Sequence, residues 1–62
     1  MLTTRQFAIL VAGAIPKTSD RYTQIFHIKR IINLTPQKIL STDRETIDEI
    51  LDILYKEFGF NP

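Results

Sequence analysis

The chain has 62 residues, a net charge of +1 and no cysteine. That length holds one small domain whose core must be thin, and the missing cysteines exclude disulfides, thiolate metal sites and thiol chemistry. Hydrophobic content of 44% with 24% charged residues is globular and excludes a disordered chain. The near-zero charge excludes a global field that draws nucleic acid or anionic membrane.

The first predicted helix covers 3–14, with Thr3 or Thr4 as cap. Phe7, Leu10, Val11 and Ala14 recur at helical spacing and form its expected core face, with Ile9 on the other side. Few polar residues interrupt it, so packing on more than one side is expected. Gly13 weakens its end and Pro16 blocks continuation. The apolar run Phe7 to Ile15 is nine residues, against about 20 for a membrane span. Only Arg5 precedes it, and Pro16-Lys17 follow where a signal peptide carries small residues. The expected setting is cytoplasmic.

The second helix is predicted over 19–32, capped by Thr18 or Ser19 with Asp20 in its first turn. Tyr22, Ile25, Ile28 and Ile32 form an arc that Phe26 and Ile31 widen. That breadth marks it as the expected central helix, and the lack of strict alternation argues against a strand. Asn33-Leu34-Thr35-Pro36 reads as a stop and restart, opening a short helix over 36–41 with Ile39 and Leu40 as its apolar residues.

The clearest pattern lies in the last segment, 43–58. Thr42 with Glu45 matches a capping box. Ile47, Ile50, Leu51, Leu54 and Phe58 form a stripe with Asp48, Glu49, Asp52 and Lys56 outside it. Gly59 stands where a left-handed cap belongs, and Phe60 can fold back onto Leu54 or Tyr55. The predicted class is all-α: a bundle of three main helices plus one short helix, as a single domain over 1–62.

No catalytic, cofactor or metal site can be assembled. Gly13 and Gly59 are the only glycines, so there is no phosphate loop. The one histidine, His27, lies on the polar side of the second helix and reads as a surface side chain. The acids Asp43, Glu45, Asp48, Glu49, Asp52 and Glu57 read as a solvated face, since a regular helix cannot wrap a cation.

Charge is nonetheless uneven. Lys17, Arg21, Lys29, Arg30 and Lys38 stand against Asp20 alone, a segment charge of +4; the six acids stand against Arg44 and Lys56, a charge of −4. Rim pairing between two neighbouring helices is the favoured account. Segment 24–36 resembles the last DNA-binding helix and turn of AraC-type regulators in the spacing of Ile28-Lys29, Asn33 and Thr35-Pro36. The resemblance spans a fifth of the chain, which is too short for that family's paired helix-turn-helix units.

The expected function is a non-catalytic protein-interaction module: an adaptor, inhibitor or assembly factor that binds another protein or itself as a homodimer. Ile9, Tyr22, Ile31, Ile53 and Phe60 fall outside the stripes needed for one core and are its candidate surface. The alternative is a small DNA-binding regulator contacting nucleic acid through Lys17, Arg21, Lys29, Arg30 and Lys38.

Overall fold

The computed structural model describes residues 3–34 and 43–62, and every element in them is a helix. The first, α1, runs Thr4–Ala14. The Thr3 hydroxyl accepts from the Gln6 amide at 3.1 Å, and the Gln6 side-chain oxygen accepts from the Thr3 amide at 2.8 Å. This reciprocal pair satisfies two N–H groups that the helix start leaves open. The helix ends at Ile15, whose extended backbone (φ −131°, ψ 152°) still donates to the Val11 carbonyl. The ring of Pro16 disfavours helical geometry at the residue before it.

The second helix, α2, runs Arg21–Leu34. Its cap is Asp20, not Thr18 or Ser19. The Asp20 carboxylate accepts from the Thr23 amide at 2.7 Å, and its carbonyl accepts from the Gln24 amide at 3.0 Å. The predicted short helix over 36–41 lies outside the described residues. The third helix, α3, runs Arg44–Phe58. Asp43 caps it by accepting from the Thr46 amide at 2.8 Å, which moves the start one residue past the expected box. Thr42 lies outside the described residues, and Glu45 remains in the first turn, where its charge suits the helix dipole. Gly59 ends α3 in the left-handed region (φ 71°, ψ 24°).

The core forms where α3 meets its neighbours. Ile47, Ile50, Leu51 and Leu54 are buried, as the stripe predicts, and Phe58 packs at their edge. α1 contributes Phe7, Ala8 and Val11, followed by Ile15; α2 contributes Ile28 and Ile32. α3 is the central element, packing on α1 most extensively and on α2 less so; α2 does not hold that place.

Two helices are rotated from their predicted settings. On α1, Ala8 is buried, whereas Leu10 and Ala14 are exposed. Residues 7 to 12 are all apolar, so periodicity admits more than one core-facing arc, and packing against α3 selects 7, 8, 11 and 15. On α2, Tyr22 and Phe26 point to solvent, and Gln24 is fully buried in their stead.

Gln24 explains that rotation. Its side-chain nitrogen donates at 2.8 Å to the carbonyls of both Ser19 and Asn61, and its oxygen accepts from the Tyr55 hydroxyl at 3.2 Å. The Asn61 amide donates to the Lys17 carbonyl at 3.1 Å. One amide side chain thus ties the start of α2, the flank of α3 and the C-terminal tail, with both amide protons and its oxygen engaged.

Candidate interaction surface

Among the described residues no three His, Asp or Glu side chains group to hold a metal ion. His27 is half-buried, with its ring edge-on to Phe26 at 5.5 Å and 78°. No helix there is long and apolar enough to cross a membrane.

The acidic residues of α3 serve as surface partners. Arg5 pairs with Glu57 across α1 and α3, which raises the Arg5 pKa chiefly through the hydrogen bond to Glu57. Lys56 pairs with Asp52 at 3.0 Å along α3. Asp48 lies 3.7 Å from Arg21 of α2 and 3.7 Å from Arg44. The Arg21–Asp48 contact is the kind of rim pairing between the basic and acidic helices that the charge pattern predicts. Each such exposed pair is worth about 0–1 kcal/mol.

The candidate apolar surface divides. Ile9 and Tyr22 are exposed, whereas Ile31 and Ile53 are half-buried against the core. Phe60 is 2% exposed and belongs to the core. The left-handed Gly59 turns the chain back, and the Leu54 carbonyl accepts from the Gly59 and Phe60 amides, the latter at 3.1 Å. A side chain so placed fills the bundle and offers nothing to a partner.

Three large apolar side chains join the surface in its place: Leu10, Phe26 and Leu34. On α2, Tyr22, Phe26, Arg30 and Leu34 follow at intervals of four, opposite the buried Gln24, Ile28 and Ile32. Tyr22 is 87%, Phe26 61% and Leu34 68% exposed. Lys29 and Arg30, both exposed, have no ion pair among the described residues. The outer face of α2 is therefore an apolar and aromatic stripe interrupted by Arg30 and edged by Lys29. The outer face of α1 shows Ile9 and Leu10, with Arg5 one turn before Ile9.

The predicted basic residues converge in part. Arg21 and Lys29 line one cleft between α2 and α3, together with Ile25, Arg44, Ile47 and Asp48; its volume is about 310 Å³. Arg30 lies on the outer face of α2, Lys17 is exposed in the turn before it, and Lys38 lies outside the described residues. Sequence reasoning grouped Arg44 with the acidic helix and missed its place in the basic cleft.

Comparison with protein families, curated proteins and solved structures finds no match. The reading of function therefore rests on this surface.

Proposed function

We propose that this protein is a non-catalytic interaction module that docks a partner protein on the outer face of α2. The observation that carries the reading is the exposure of Tyr22, Phe26 and Leu34 on one side of a helix whose other side is locked into the core. Burying a side chain of Phe size contributes about 1.5–3 kcal/mol, and tyrosine and arginine are the residue types that dominate interface energetics. Lys29 beside the stripe and Arg30 within it add orientation and rate rather than raw affinity.

A photocrosslinking amino acid at position 26, compared with one at position 45 on α3, tests this in cells. A discrete protein adduct from position 26 and none from position 45 supports the reading. Equal or absent adducts at both positions overturn it.

Nucleic acid is the second reading, and the meeting of Arg21, Lys29 and Arg44 at one cleft favours it. Its signature is binding that falls steeply with salt as phosphate contacts release counterions. Flat DNA and RNA titrations at low salt dispose of it.

A further inference from the structure

The cleft between α2 and α3 carries more information than its shape. Arg21, Ile25 and Lys29 follow at intervals of four along one line of α2, and Arg44, Ile47 and Asp48 face them from α3. Among the described residues of its lining three cations share one carboxylate, a surplus of two positive charges. Asp48 stands 3.7 Å from each arginine, beyond ordinary hydrogen-bond reach. The guanidinium donors of Arg21 and Arg44 are thus not taken up by Asp48, and Lys29 has no ion pair among the described residues. Ile47 is buried and Ile25 half-buried, so the floor is aliphatic.

The cleft is continuous with the outer face of α2. Tyr22 precedes Ile25 by three residues and Phe26 precedes Lys29 by three, so each pair adjoins on the helix surface. A ligand covering both regions brings an acid group and apolar groups together.

Among the described residues a second copy of this chain does not supply that combination. The outer side of α3 carries Glu45, Glu49 and Asp52, but the exposed large apolar residues lie on α1 and α2. The outer face of α1 has Ile9 and Leu10 but no acid. Two α2 faces in contact bring the Lys29 and Arg30 cations of both copies into one interface with no acid on either α2 face to offset them, a like-charge arrangement that is unfavourable. Nucleic acid fits less well than protein, because its interfaces are far more positive than this one and Asp48 sits amid the cations.

We infer that the cleft is a carboxylate receptor within the docking face: it seats an Asp or Glu side chain of a different protein, whose neighbouring apolar side chains cover Tyr22 and Phe26. This rests on the reading of α2 as a docking face. Asp48 acts as a weak resident competitor, a carboxylate 3.7 Å from both Arg21 and Arg44.

The test is a nuclear magnetic resonance titration of the full isotope-labelled chain with a blocked synthetic peptide carrying one Glu followed by Leu and Phe. The same peptide with Gln for Glu, a decathymidylate and a second aliquot of the protein are the comparison probes. The Glu peptide is expected to bind about tenfold more tightly than the Gln peptide, the scale of a charge-assisted hydrogen bond. Its shifts should map to Tyr22, Ile25, Phe26 and Lys29. Arg44→Glu should weaken it about tenfold and Asp48→Asn strengthen it several-fold. Both positions are exposed, and circular dichroism checks that both variants fold. Equal binding of the Glu and Gln peptides at the α2 face overturns the receptor and leaves the docking face standing. Tighter binding of decathymidylate, or self-association through the same residues, also overturns the receptor. The absence of any saturable shift on α2 overturns both readings.

Discussion

The seam between α1 and α3 and the knot around Gln24 hold the molecule by opposite means. The seam is apolar and redundant: Phe7, Ala8 and Val11 of α1 share one buried cluster with Ile50, Leu51 and Leu54 of α3, so any one side chain is a part of many. The knot is polar and singular, with the Ser19, Tyr55 and Asn61 bonds all resting on one side chain. Burial of apolar area is non-directional and sets how much free energy folding releases. A satisfied buried amide adds little net stability but penalises every arrangement that leaves it unpaired. The seam thus supplies the stability, and the knot decides how α2 is turned.

That contrast can be broken most forcibly at Leu54. Leu54→Ala should cost about 2–5 kcal/mol, close to the whole stability of a domain this size, roughly 3–5 kcal/mol. Urea denaturation followed by circular dichroism should then show a population unfolded in buffer. A cooperative transition within about 1 kcal/mol of wild type would mean that the seam is not where stability resides. Gln24→Leu keeps the volume and removes the bonds, so a loss of about 1–3 kcal/mol is expected. Its effect should be local, with faster hydrogen exchange at the Asn61 amide while the α3 core amides keep their protection ranking. Uniform loss of protection would place Gln24 in the same cooperative unit as the seam.

Smaller effects sharpen the picture at the helix ends. Asp43→Ala removes the α3 cap and should cost about 0.5–2 kcal/mol, read as a lower thermal midpoint. Gly13→Ala should stabilise by up to about 1 kcal/mol. A Cβ there meets open space, and Gly13 does not have a positive φ. A destabilised Gly13→Ala chain would show that α1 is more tightly surrounded than its exposed outer face implies. The least effect is the pH dependence at Asp20, whose carboxyl is held below its ordinary 3.8 by the hydrogen bond from the Thr23 amide. A carboxylate favoured by folding contributes fully above its unfolded pKa. That contribution is lost as pH falls from about 3.8 through the lower folded value. A carboxyl titration midpoint at or above 3.8 in the folded chain would contradict the Asp20 cap.

Legibility in the sequence followed the clarity of each pattern. α3 was readable almost residue by residue, because its apolar stripe stands against charged neighbours and Gly59 has one conformational use. Its cap was misplaced by one position, since Thr and Asp are both competent acceptors and the sequence does not choose between two adjacent ones. α1 was found by extent but not by rotation, because its apolar residues surround the helix. α2 misled more: its predicted apolar arc took in Phe26 and left out Gln24, whereas Phe26 is exposed and Gln24 is fully buried.

The candidate surface inherited that error. Ile9 and Tyr22 were identified through apolar surplus, but Phe26 had been assigned to the core and Phe60 to the surface. Arg21 and Lys29 were named as basic residues, yet nothing local to α2 places Arg44 beside them.

Local chemistry alone was enough to establish that this chain is helical, roughly where its helices run, and that Ile47, Ile50, Leu51 and Leu54 face inward. Caps, prolines and helical periodicity act over a few residues and are written in the order of the chain. Which side of α2 turns inward, and hence which aromatics and cations meet at its surface, was decided only by tertiary structure. Gln24 finds its partners five, 31 and 37 residues away, and a side chain satisfied from such distances can be buried where its own neighbourhood predicts solvent.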